Sequence, residues 1–182
     1  MTRVPYISRD ELDAEGQSIY DQIAADRGRT DVGLQFRALL NNPRAAGYLT
    51  SLGATLRFQS SIPEGLKELA ISTTGREWDS HIIWTSHSAL AAKEGISAAS
   101  LESVRTKKDP ESLTGDEAII TRFVHEMIQD KQVSDETFSA AQELLGVQGV
   151  VDLTLTISYY SALALAQIAL KLEMDPGRTS TL

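Results

Sequence analysis

"IPEGLKELAISTTGREWDSHIIWTSHSALAAKEGIS", residues 62–97, decides how this chain is read. Pro63 is placed to open a helix and Gly95 to stop one. The spacing predicts one helix opening near Pro63 and a second over 78–94, with a short turn folding the first back on the second. The stretch holds two of the chain's three histidines and both of its tryptophans. The question is whether that clustering marks a reactive site or a packed helix pair.

The flanking sequence continues in the same period. Ser8 stands three before Glu11, a capping-box pattern ahead of Leu12, Ile19 and Ile23. Residues 28–33 read as a polar loop. Asn42 and Pro43 read as the N-cap and first position of a helix with Leu49, Leu52 and Leu56 as its apolar stripe. Ser97 caps a short helix through Leu101 and Val104, and "KKDPES" (107–112) is the clearest loop. Thr114 and Glu117 repeat the capping-box pattern before Ile120, Phe123, Val124, Met127 and Ile128. Ser134 opens a helix that Gly146 closes, and a last helix runs from about Val150 to Leu172. No alternating strand pattern and no internal repeat is present. The expectation is an all-α single domain over 1–182, with an N-terminal helix and loop over 1–42 and a tail over 173–182.

Composition narrows the function classes. The net charge of −8, without a basic stripe, disfavours nucleic acid as a partner. With no cysteine, the chain has no disulfide, zinc–thiolate or thiol redox chemistry. "MTRVPYISRDELDAEG" lacks the apolar core of a signal peptide. "ISYYSALALAQIALKLEM" (157–174) approaches a membrane span in length, but Ser158, Ser161, Gln167 and Lys171 interrupt it, so it reads as a buried helix. The expectation is a cytoplasmic protein without a membrane partner.

On a helix each residue advances the side chain by about 100°. With His81 at zero, Trp84 falls about 60° to one side and His87 about 60° further. Glu77 and Ser80 stand four residues before His81 and Trp84 and join that face. Glu68 sits on the preceding helix. A carboxylate beside an imidazole orients the ring and raises its basicity, as general base catalysis requires. On spacing alone, however, a Glu–His pair is more often a surface or interface contact, and Trp78 and Trp84 are most simply core residues. His81 and His87 point about 120° apart and form no HExxH pattern, which disfavours a metal. His125 lies between apolar positions and reads as a packed or partly exposed helix residue. For Tyr159 and Tyr160 core packing is the default, and a hydroxyl reaching a pocket is the sharper reading.

The order of these features resembles the carboxymuconolactone decarboxylase family, within the alkylhydroperoxidase D-like (AhpD-like) superfamily. The resemblance spans most of the chain. It rests on "NNPRAAGYLTSLGATLRF", "IPEGLKELAISTTGREWDSH", "HSALAAKEGIS", "DEAIITRFVHEMI", "VSDETFSAAQELLGVQGVVDLTLTISYY" and the final "MDPG". It implies an AhpD-like helical bundle. In the thiol peroxidase branch a Glu, a CxxC and a His form a proton relay. Glu68 and His87 match the Glu and the His, while Ser80 and Ile83 stand where the cysteines would be, so that activity does not carry over. In the cysteine-free branch the signature is roughly Glu-Trp-x-x-His; Trp84 and His87 match it, and Ile83 replaces its Glu.

The resemblance implies a cofactor-free carboxy-lyase of aromatic-compound catabolism, in which an acidic lactone loses carbon dioxide and the remaining dienolate is protonated. His87 would move the proton and Glu68 would hold it, with His81 as a second polar group. Trp84, Arg76, Glu77, Ser80 and Tyr160 are the candidate substrate-binding residues, with Arg76 or Arg57 as cation for a substrate carboxylate. No metal and no cofactor are expected. Family members assemble as trimers or hexamers, so a homo-oligomer is the expected partner state. Two alternatives stay open: a non-catalytic, ligand-binding helical oligomer, and a peroxidase-like redox protein, which the missing cysteines oppose.

Overall fold

The computed structural model describes residues 1–108 and 112–182, and these contain helices and turns but no strand. The all-α reading holds. Of the predicted 107–112 loop, residues 109–111 lie outside the described residues. The chain divides into two compact units: residues 1–59 with 165–178, and residues 60–164 with 179–182.

In the first unit, α1 (Ala14–Ala25), α2 (Leu34–Leu39) and α3 (Pro43–Phe58) surround a core of Tyr20, Ile23, Val32, Leu40 and Ala46. The Ser8 N–H donates to the Glu11 carboxylate at 2.6 Å, as the capping pattern suggested, but it opens only the short 3-10 turn Arg9–Glu11. Asp13 caps α1 instead, accepting from Gly16 N. The six-residue α2 escapes sequence reading because it is too short to show a period. Asn42 caps α3 with Pro43 at its first position, as expected. The α3 stripe is shifted, however. Ala46, Thr50, Gly53 and Leu56 are buried, whereas Leu52 is exposed.

The second unit is built around α4 (Glu64–Glu77), on which every residue from Lys67 to Gly75 is buried. A helix buried on all sides has no polar face, so α4 reads weakly as an amphipathic pattern. Two of its inward hydroxyls are satisfied along the helix: Ser72 donates to Glu68 O at 2.7 Å and Thr74 to Ala70 O at 2.8 Å, whereas the buried Thr73 hydroxyl has no hydrogen-bond partner among the described residues. Two core clusters flank it. One joins Ala70 to Phe123, Val124, Leu153 and Ile157, and the other joins Leu69 to Trp84, Ala91, Ile96 and Val104. Burying a side chain such as Leu69 or Phe123 contributes about 1.5–3 kcal/mol each.

Helix α5 (His81–Lys93) follows α4 after a turn at Trp78–Ser80, in which Asp79 takes a left-handed φ of 51°. The expected helix start at Trp78 is therefore corrected to His81, because Ser80 caps α5 by accepting from Ile83 N at 3.1 Å. The two helices run antiparallel and approach closely at two glycines. A Cβ on Gly65 would stand 2.9 Å from Glu94 O, and one on Gly75 would stand 2.6 Å from Ile83 Cγ2.

Helix α6 (Ala98–Arg105) is capped by Ser97, as its sequence suggested. Helix α7 (Gly115–His125) enters through Gly115 at φ 58°, so the Thr114 side chain makes no cap and the expected capping box does not form. A π-helical turn, Glu126–Asp130, extends α7. Helix α8 (Asp135–Leu170) is interrupted at Gly146, where φ 70° and ψ 175° separate the two predicted helices. By length and composition α8 is apolar enough to cross a membrane, a test that a core helix of a soluble protein also passes; 44% of its most apolar window is buried.

Glu126 joins α7 to the start of α8. Its carboxylate accepts from Ser134 N at 2.7 Å and from the Thr137 hydroxyl at 2.7 Å. Burial alone would raise this carboxyl, but the Ser134 and Thr137 donors, with Arg122 nearby, outweigh it and hold the group below the ordinary carboxylate range. A depressed carboxyl contributes stability that is present above its unfolded value and lost as pH falls through the folded one. Urea midpoints measured from neutral pH into acid should therefore fall less steeply in Glu126→Gln than in the parent. Parallel curves would contradict this assignment.

Candidate functional site

A short, buried polar contact in the second unit joins α4 to α5. His87 Nδ1 lies 2.6 Å from Glu68 Oε2, at the short end for a hydrogen bond between nitrogen and oxygen. Both residues are buried, with Glu68 1% and His87 7% exposed. The antiparallel pairing of α4 and α5 puts these residues opposite each other, although they are 19 apart in sequence. A tightly buried carboxylate needs such a partner, because an unpaired charge in the interior is costly.

A third residue arrives from α8. The Tyr160 ring lies 4.9 Å from the His87 ring, centroid to centroid, at an interplanar angle of 80°. Tyr159 meets Tyr160 in turn at 5.1 Å and 89°. Orthogonal contacts at these distances are favourable aromatic geometries.

The other candidate residues are placed elsewhere. His81 is exposed, and its Nδ1 lies 2.6 Å from the Ser180 hydroxyl of the C-terminal segment. Glu77, on α4 rather than on α5, faces α7, where it meets His125 Nδ1 at 3.0 Å and accepts from Gln129 Nε2 at 2.8 Å. The expected Glu77–His81 pair on one helix face therefore does not form, since the Trp78–Ser80 turn separates the two residues. Trp84 is 3% exposed and packs in the Leu69 cluster. Ser80 is buried as the α5 cap. Ile83 is buried beneath Gly75. Arg76 donates from Nε to Arg105 O at 2.6 Å and pairs through its guanidinium with Asp79. Arg57 belongs to the first unit, where its guanidinium lies over the Phe58 ring at 5.3 Å.

Neither the Ser180 contact to His81 nor the Glu77–His125 contact was read from the sequence. These pairs are separated by 99 and 48 residues, and no local pattern links them. Among the described residues, no group of three or more His, Asp or Glu side chains is placed to hold a metal ion.

These helices, with Glu68 and His87 facing across α4 and α5, form the AhpD-like fold. The chain superposes on the AhpD core of an uncharacterised peroxidase-related protein from Ralstonia eutropha JMP134 with a TM-score of 0.76 and 12% identity, over 96% of this chain and 93% of that one. It superposes on a cysteine-to-alanine variant of the debrominase Bmp8, in complex with 2,3,4-tribromopyrrole, with a TM-score of 0.74 and 13% identity, over 97% of this chain and 93% of that one. Apo Bmp8 gives a TM-score of 0.72, also at 13% identity, over 96% and 91%. No family model matches the sequence, and no curated protein matches it.

Proposed function

We propose that the chain is a cofactor-independent proton-transfer enzyme of carboxy-lyase type, acting on a small carboxylated or lactone metabolite. The observation that carries the reading is the buried 2.6 Å contact between Glu68 and His87. Glu68 orients the ring through Nδ1 and would stabilise the imidazolium formed when His87 takes up a proton. In the decarboxylation the carbon–carboxylate bond breaks, its electrons pass into the dienolate, and His87 returns a proton to carbon. The absence of cysteine opposes a thiol-based redox activity of the peroxidase kind for this chain. Bmp8 was solved with a cysteine replaced, and this chain has no cysteine at any position.

In this reading His81, held by Ser180, takes no part. A substrate carboxylate would have to draw Arg76 from Asp79 and from Arg105 O. Ile83 favours a second reading, a non-catalytic ligand-binding oligomer, because that position supplies packing instead of a carboxylate. A homo-oligomer suits either reading. Val147, Val151 and Leu155 stand at i, i+4 spacing on an exposed α8 face of the second unit.

The test is carbon dioxide release from a panel of carboxylated lactones. Release by the parent that His87→Ala abolishes supports the enzyme. Binding of panel members without release, unchanged in His87→Ala, supports the binding protein.

A further inference from the structure

A buried hydroxyl on a helix readily donates to the carbonyl four residues back. Thr50, Ser72 and Thr74 do so here, at 2.7, 2.7 and 2.8 Å. Three threonines of the second unit do not. The hydroxyls of Thr73, Thr121 and Thr156 are buried and have no hydrogen-bond partner among the described residues. Thr73 is 2% and Thr121 5% exposed. A hydroxyl left dry and unbonded in the interior lowers stability, so each such group calls for an explanation.

Register brings two of the three together. Helices α4 and α7 run parallel: Leu66 and Glu117 line one cavity near their starts, and Glu77 meets His125 Nδ1 at 3.0 Å at their ends. Thr73 stands four residues before Glu77, and Thr121 four before His125. Four residues advance either helix by about 6 Å and turn the side chain by only about 40°. Thr73 and Thr121 therefore lie at one level, a turn below the Glu77–His125 contact and on the same side of the helix pair. They do not bond each other directly.

We propose that Thr73 and Thr121 hold one internal water that bridges α4 to α7. An internal water makes about three hydrogen bonds to buried groups that lack other partners. The two hydroxyls supply two of them, one as donor and one as acceptor, and a backbone carbonyl with a spare lone pair supplies a third. The water extends inward the polar seam that Gln129, His125 and Glu77 form at the end of α4. It is a site apart from the Glu68–His87 pair and does not depend on the proton-transfer reading.

High-resolution diffraction of the parent tests the site directly. One ordered water is expected within about 3.2 Å of both Thr73 Oγ1 and Thr121 Oγ1. Thr73→Ser keeps the hydroxyl and should keep the water, whereas Thr73→Val, which matches threonine in shape, should lose it. A direct bond between the two threonines, a bond from each to its own helix, or a water on one hydroxyl alone overturns the proposal.

Urea midpoints give a second reading on variants that keep the packing. Thr73→Val and Thr121→Val should each lower the midpoint, because each leaves the remaining hydroxyl without its bridge. The double variant should lose less than the sum of the two, since both single changes remove the same water. Valine in place of a hydroxyl that is simply orphaned relieves a desolvated group and raises the midpoint instead. A rise or no change in either single variant, or additive losses in the double one, overturns the proposal.

Discussion

Gly75→Val is expected to lower stability by about 3 kcal/mol, the upper part of the range for overpacking a close contact. A Cβ at this position would stand 2.6 Å from Ile83 Cγ2, 2.9 Å from Ile83 Cβ and 3.1 Å from the Trp84 backbone nitrogen. No side-chain rotation relieves contacts to a Cβ and to a backbone atom. Helix α5 has to move, and α5 carries His87. For a chain of this length the loss corresponds to a melting temperature lower by about 6–12 °C. Gly75→Ala should do less, because alanine's better helix propensity returns about 1 kcal/mol. Pairing Gly75→Ala with Ile83→Ala should recover part of the loss, since the second change vacates the space the first one needs. Additive losses in the double variant would show that the glycine is not there for close helix approach.

The second large effect is on chemistry. His87→Ala should lower turnover by about 10²–10⁴-fold, the usual contribution of a positioned acid–base group. It should also reduce stability by about 1–3 kcal/mol, because the Glu68 carboxylate loses its imidazole partner in the interior. The reverse change separates the two effects. Glu68→Gln keeps the shape and a hydrogen-bonding group but removes the charge, so it should lower turnover while altering stability less than His87→Ala. Replacing both with Leu should be less harmful to stability than the sum of the single changes, since a buried pair removed whole leaves no orphaned charge. Thermal melts and steady-state rates on the four proteins check this. Equal stability of the parent and His87→Ala would show that the contact is not energetically coupled.

Local signals written in a few adjacent residues were legible before the structure. Asn42–Pro43, Ser97 and Gly146 all mark helix boundaries where they were read. The pairing of Glu68 with His87 followed from resemblance and not from spacing, because it depends on how tightly α4 returns along α5. The glycines that permit that approach, Gly65 and Gly75, carry no visible signal in a helical pattern. The Glu77–His81 expectation failed for a local reason. Glu-Trp-Asp-Ser-His reads as continuous helix, yet Asp79 turns left-handed and Ser80 caps a new one. Helical arithmetic cannot cross such a break. The Thr114 box failed similarly, at a glycine of positive φ. Contacts such as Trp78 Nε1 donating to Ser161 Oγ at 2.9 Å span 83 residues and belong to tertiary packing alone.

The central claim is that the Glu68–His87 pair moves a proton to or from substrate carbon. Incubating the parent and His87→Ala with the lactone panel in deuterated water, and reading deuterium at carbon, tests it most directly. Solvent deuterium is expected to be incorporated by the parent with at least one panel member, at a rate at least about a hundredfold lower in His87→Ala. Equal incorporation by the two proteins, or none by the parent with any member, would contradict it.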